Sequence, residues 1–248
     1  MGGVRVRAAF FILCLLYFAV YQPVGGVIDH RKFLRAVNEG GTRLKYYSLL
    51  IVEITIPSAI VLLLTFSGWY SAADIGLKLP GWSGVINRWV AYGVLAVTGV
   101  YALLILQQLV MARVSQSYRD KLAAVKLPDD ILQMMPRTPA EKRLWGWVSL
   151  TAGLFEEFLY RGFLLFILKT LFPQINIALA IAVLGVVFGL GHCYQGWMGV
   201  LRTGLYGMML AALYVVTGSI LPGIVLHFLS DFAAKDLEGG RVSETAGV

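Results

Sequence analysis

Between Trp89 and Ala112 the chain runs without one charged residue. About 20 predominantly apolar residues cross the hydrocarbon of a bilayer as an α-helix. Inside lipid, such a helix satisfies its own backbone groups, which no water is there to solvate. Further apolar segments lie at about Ala8–Ile28, Tyr46–Phe66, Ile175–Cys193, Trp197–Val216 and Ile220–Ala234, with another following Thr138. Composition agrees. Hydrophobic residues make up 58%, charged residues 14%, and the mean hydropathy is +0.73. A soluble domain carries about 25% charged residues. The expected fold is all-α: one multi-pass transmembrane bundle of about seven helices (six to eight) around an intramembrane polar cavity.

The net charge of +7 resides largely in the connections between apolar segments. There it reads as a topology signal and as contacts to anionic lipid, not as a nucleic-acid surface. The loop Arg31–Lys45 and the linker Arg113–Arg143 are the most basic stretches and are expected in the cytoplasm. Segments two and three then form a hairpin between them, and the C-terminus is cytoplasmic. The N-terminus falls outside, against the pull of Arg5 and Arg7, unless the first segment stops short of spanning. No small-x-small cleavage site follows that segment, so it reads as an uncleaved helix rather than a signal peptide. The expected division is 1–112 for N-terminal transmembrane helices and 113–137 for a basic cytoplasmic linker. A core follows at 138–235, then a polar, mobile tail at 236–248. Cys14 and Cys193 lie in separate apolar runs and form no disulfide framework. The membrane is expected to be a bacterial plasma membrane, with the endoplasmic reticulum as the alternative.

Against this apolar background the charged residues stand out. Glu156, Glu157 and Arg161 sit within Leu154–Leu165, and two of only three histidines, His192 and His227, also lie in apolar sequence. Each ionised group at such depth costs about 2.5–3.5 kcal/mol, so a use is expected. Upstream, Thr138-Pro139-Ala140-Glu141 reads as a capping box with proline at the first helical position. Trp145 and Trp147 read as interfacial anchors. Glu156 then lies about 14 Å deeper at 1.5 Å per residue. Glu157 and Arg161, four apart, pair on one face and leave Glu156, about 100° round, for another task. Phe188 and His192 are four apart, with Gly185, Gly189 and Gly191 permitting close helix approach. His227 and Asp231 are four apart on the last segment. Glu53 with Pro57 reads as a polar kink near the interface, and His30 as a solvated histidine in a basic loop. Tyr160 reads as packing, and Cys193 as a small apolar core residue.

Glu156-Glu157-x-x-x-Arg161, Phe188-x-x-x-His192 and His227-x-x-x-Asp231, in this order, resemble the three motifs of the CPBP family. That family comprises the type II CAAX prenyl endopeptidases and the bacteriocin-processing or immunity (Abi) proteins. The resemblance covers about Pro136 to Ala234 and implies intramembrane proteolysis. It assigns water activation to Glu156 and His192, and support of the oxyanion or the site to His227 and Asp231. Glu157, Arg161 and Phe188 become structural support. The family allows Asn or Asp at the last position. The difference matters, because an amide donates to a developing oxyanion and an ionised carboxylate does not. Asp231 must therefore be protonated, orient His227, or ligate a metal.

No cofactor is favoured, with zinc as the alternative. Glu156, His192, His227 and Asp231 would be its ligands, although the compact His-Glu-x-x-His motif is absent. Neither Gly-x-Gly-Asp nor an intramembrane Gly-x-Ser-Gly is present, which counts against the aspartyl and rhomboid classes. The expected partners are the bilayer and a membrane-anchored or lipidated peptide: a lipidated C-terminal tail, a leader peptide or a sorting helix. The competing functions are a proton- or ion-coupled transporter, disfavoured by the lack of an internal repeat, and a non-catalytic scaffold or immunity protein.

Overall fold

Apolar runs that must satisfy their own backbone become helices, and every described element is helical. The computed structural model describes residues 2–125 and 127–237. From position 238 onward, the expected mobile tail lies outside the described residues.

α1 (Gly2–Leu16) continues through a π-helical turn at Tyr17–Tyr21 into α2 (Gln22–Asn38), making one unbroken rod. The basic stretch after Ile28 is therefore mostly helix, and residues 39–42 alone join it to α3 (Arg43–Phe66). His30 is consequently not a solvated loop residue. It is 3% exposed, with its ring 5.1 Å from that of Tyr194. Its position on the inner face of a long helix decides this, and the flanking charges hid it. Pro57 lies inside α3. After the loop 67–87 comes α4 (Arg88–Val114), whose cap Asn87 accepts from the Trp89 N–H at 2.8 Å.

The linker carries two short helices, α5 (Gln116–Ala123) and α6 (Asp129–Met134). It is pinned beneath the bundle: Arg43 Nε donates to the Gln133 carbonyl at 2.6 Å, and Arg43 Nη1 stands 3.6 Å from Glu141. α7 (Pro139–Glu156) begins at the expected capping box. Thr138 Oγ1 accepts from the Glu141 N–H at 3.2 Å, while Glu141 Oε2 accepts from the Thr138 and Arg137 N–H groups, each at 2.9 Å. The rod then passes through a second π-helical segment, Glu157–Leu164, into α8 (Leu165–Leu171). α9 (Ile177–Gly191), a single 3₁₀ turn at Cys193–Gln195, α10 (Gly196–Thr217) and α11 (Leu221–Ala234) complete the bundle.

Four stretches are long and apolar enough to cross a membrane: Val6–Asn38, Arg43–Phe66, Arg88–Val114 and Cys193–Thr217. With the family match reported below, they support an integral membrane protein. α9 and α11 are shorter apolar helices. At 1.5 Å per residue they reach only about 21–23 Å, less than a full hydrocarbon thickness of about 30 Å. Both carry motif residues.

α3 packs along α7, whereas α4 packs along α10 and α11. Segments two and three thus flank the motif-bearing helices. α7 meets α11 at Gly153, where a Cβ would stand 2.8 Å from the Phe228 nitrogen. This backbone-to-backbone approach brings the acidic end of α7 against His227. Gly185 and Gly189 face α10 around Gly204, as their spacing anticipates, while Gly191 lies beside the Tyr160 hydroxyl instead. Trp145, expected at the interface, is only 7% exposed, and its indole Nε1 donates to the Asp231 carbonyl at 2.9 Å. It faces inward because α3 and α11 cover that side of α7. Trp147, two residues on, is exposed.

Candidate active site

The first motif lies at the point where α7 changes its winding. Glu156 ends the α-helix and Glu157 opens the π-helical segment, all eight residues of which are buried. Such π segments often occur at functional sites. The two neighbouring carboxylates have different surroundings. The Glu157 side chain is 1% exposed and that of Glu156 18%. Glu157 Oε1 lies 2.8 Å from His227 Nδ1, with which it hydrogen-bonds, and forms an ion pair with Arg161 Nη1 at the same distance. Room for this carboxylate comes from Gly223 on α11, where a Cβ would fall 2.8 Å from Glu157 Oε2. Arg161 is equally dry. Its guanidinium lies 4.2 Å over the Phe188 ring, and its Nη2 reaches the Gly207 carbonyl at 3.4 Å. A buried carboxylate, a buried guanidinium and an imidazole thus share one interlocked clamp.

That clamp fixes the histidine. A carboxylate only accepts, so His227 Nδ1 donates and carries a proton. Nε2 then points to the other side, 3.8 Å from Glu156 Oε2 and 3.6 Å from Asp231 Oδ2. His192, at the C-cap of α9, is tied in the same way. Its Nδ1 lies 2.9 Å from the Phe188 carbonyl, which can only accept, so in the neutral ring Nε2 carries the lone pair. His192 lies within electrostatic reach of Asp231 and His227. Glu156 Oε2 is buried and has no hydrogen-bond partner among the described residues. Asp231 keeps a side chain 37% exposed.

The site therefore has a dry side, holding Glu157, Arg161 and Phe188, and a more open side, holding Glu156 and Asp231. His227 stands between the two. The expected pairing of Glu157 with Arg161 is present, but Glu157 also orients His227, a role one reading of the sequence gave to Asp231. Two residues outside the motifs also enter. Gln22, just past the first π turn, accepts a hydrogen bond from the Tyr160 hydroxyl, so Tyr160 does more than pack. Tyr206 on α10 sets its ring 5.7 Å from His227, nearly perpendicular at 88°. Neither sits in a recognisable pattern, so no local signal singled them out.

The donor types would suit zinc, which takes imidazole nitrogen and carboxylate oxygen at about 2.0–2.2 Å. Their spacing does not match: among the described residues no three His, Cys, Asp or Glu side chains form a group that would hold a metal ion.

Residues 140–233 match the family model described as type II CAAX prenyl endopeptidase Rce1-like. No curated protein and no solved structure matches the chain. The matched stretch contains Glu156, Glu157, Arg161, His192, His227 and Asp231. Over that stretch, the chain is similar to the type II CAAX prenyl endopeptidase family, whose three motifs it resembles.

Proposed function

We propose that the protein hydrolyses a peptide bond near the terminus of a membrane-anchored or lipidated protein, using water activated by Glu156 and His192 without a metal. The observation that carries this is the difference between the paired carboxylates. Glu157 Oε1 is held by Arg161 and His227, whereas Glu156 Oε2, on the more open side, has no hydrogen-bond partner among the described residues. A general base must reach its proton directly or through one water, and only Glu156 of the two is free to do so.

In the reaction, Glu156 takes a proton from water as the water oxygen bonds to the scissile carbonyl carbon. The carbonyl π pair moves to its oxygen. Collapse of this tetrahedral species reforms C=O and breaks the C–N bond. The leaving nitrogen takes the proton held by Glu156, with the His192 Nε2 lone pair assisting the transfer. The Glu157–Arg161 clamp holds His227 beside this centre. An apolar cavity of about 300 Å³, lined by Cys14, Phe18, Pro57 and Val61 among others, supports a lipidated substrate. The Phe18 ring packs 5.2 Å from Tyr160 of the first motif, so the cavity lies next to the catalytic helix. A bacterial plasma membrane is the proposed location.

The test uses purified protein in liposomes against a panel of prenylated tails and unlipidated membrane-anchored tails, with and without a zinc chelator. Wild type is expected to cleave, and Glu156→Gln to lose about 10²–10⁴-fold in kcat. Cleavage by wild type should survive chelation. Loss on chelation with recovery on adding zinc would refute the metal-free mechanism. Absence of cleavage by folded wild type would refute the proteolytic reading.

A further inference from the structure

Hydrolysis through a tetrahedral intermediate needs donors aimed at the oxygen on which negative charge develops. The donors around this site are mostly committed. His192 Nδ1–H goes to the Phe188 carbonyl and His227 Nδ1–H to Glu157. Trp145 Nε1–H goes to the Asp231 carbonyl and the Tyr160 hydroxyl to Gln22. Arg161 is held by Glu157 and stacked on Phe188. Asp231, standing where an amide is the other family option, has no N–H to offer.

One donor remains. The Tyr206 hydroxyl is buried and has no hydrogen-bond partner among the described residues. It contrasts with its neighbour Tyr101, whose ring lies 5.6 Å away and whose hydroxyl shares a hydrogen bond with Ser230 at 2.8 Å. A buried hydroxyl without a partner is destabilising. Phenylalanine would fill the same space against His227 without that penalty. Tyr206 stands edge-on to His227 and within electrostatic reach of Asp231, Glu157 and Arg161. The next residue, Gly207, receives Arg161 through its carbonyl. The hydroxyl thus belongs to the same polar interior as the three motifs, although α10 carries none of them.

Resting on the proteolytic reading above, we infer that Tyr206 is a further catalytic residue, whose hydroxyl donates a hydrogen bond to the oxyanion of the tetrahedral intermediate. As water adds and the carbonyl pair moves to oxygen, the phenol donates to that oxygen and keeps its own proton. When the C–N bond breaks, the charge disperses and the hydrogen bond weakens. Tyr206 takes no part in proton transfer, so the mass and charge balance is that of the Glu156 mechanism.

The test is Tyr206→Phe in the full chain, assayed in liposomes on a tail that wild type cleaves. Loss of one oxyanion donor is expected to lower kcat by about 10²–10³-fold. KM should stay within about twofold, because the bond forms only in the transition state. A phosphinate analogue of the same tail, tetrahedral at the scissile position, should lose affinity in step with kcat, while the melting temperature holds. A variant that keeps wild-type kcat and phosphinate affinity overturns the inference and leaves the Glu156 mechanism standing. So does one whose substrate and phosphinate affinities fall together with its melting temperature. Absence of cleavage by folded wild type refutes the proteolytic reading and this inference together.

Discussion

Replacing Glu157 by glutamine tests the division of labour between the two adjacent carboxylates. The substitution conserves volume and removes one negative charge from a side chain that is 1% exposed. Two contacts at 2.8 Å converge on its Oε1, from Arg161 and from His227. Without the carboxylate the Arg161 guanidinium remains 1% exposed, with only the Phe188 ring and a 3.4 Å contact to the Gly207 carbonyl. Breaking a buried ion pair from one side costs about 3–5 kcal/mol. The Phe188 stacking returns about 0.5–2 kcal/mol of the cation's stabilisation, but that contact exists already and compensates nothing new. The expected loss for Glu157→Gln is therefore about 3–5 kcal/mol of stability, with activity falling as His227 loses its orientation. Glu156→Gln should instead leave stability within about 1 kcal/mol, since its Oε2 has no hydrogen bond to lose among the described residues and lies 3.8 Å from the nearest His227 nitrogen. The assay is unfolding in detergent with activity measured on the same samples. Glu157→Leu combined with Arg161→Met closes the cycle, since an apolar pair in place of a buried ion pair is often neutral. The clamp argument is refuted if Glu157→Gln is as stable as wild type, or if Glu156→Gln is destabilised as much as Glu157→Gln.

Two further outcomes are expected. In the loop before α4, Asp74 Oδ2 accepts from the Ser71 N–H and hydroxyl, both at 2.8 Å, and these bonds hold its carboxyl below the ordinary range. A depressed carboxylate contributes stability above its unfolded pKa of about 3.9 and loses it as pH falls through the folded value. Asp74→Asn should therefore flatten the acid limb of the melting curve while leaving the neutral-pH melting temperature little lower, and an unchanged acid limb would count against it. The second outcome concerns the apolar cavity. Cys14→Phe adds bulk there and should raise KM for a prenylated tail while sparing an unlipidated membrane-anchored one; equal effects on both would remove the cavity from substrate binding.

Much of the architecture was readable locally. Apolar runs located the later helices within a few residues, because span length and backbone satisfaction are properties of one segment, while the first rod runs ten residues beyond its expected end at Ile28 into basic sequence. The capping box at Thr138 was readable for the same reason: its donors and acceptors lie three residues apart. The three motifs were visible as costly charges in apolar sequence, and the family match covers all of them. The burial of His30 and Trp145 was not readable, since each depends on a neighbouring helix that covers it. The π-helical windings at Tyr17–Tyr21 and Glu157–Leu164 had no signature in residue type.

By itself, then, the sequence determined that this chain makes apolar helices for a bilayer and that Glu156, Glu157, Arg161, His192, His227 and Asp231 are its anomalous polar groups. Tertiary structure decided what each of them touches. Glu157 and His227 are 70 positions apart, and their hydrogen bond exists because Gly153 and Gly223 let α7 and α11 approach closely enough. By the same packing, Glu156 Oε2 has no hydrogen-bond partner among the described residues, and Tyr206 joins the site from a helix that carries no motif. Hydrophobicity and capping act along a few residues of chain. Partnership between buried charges acts across helices, and only the packed bundle brings those faces together.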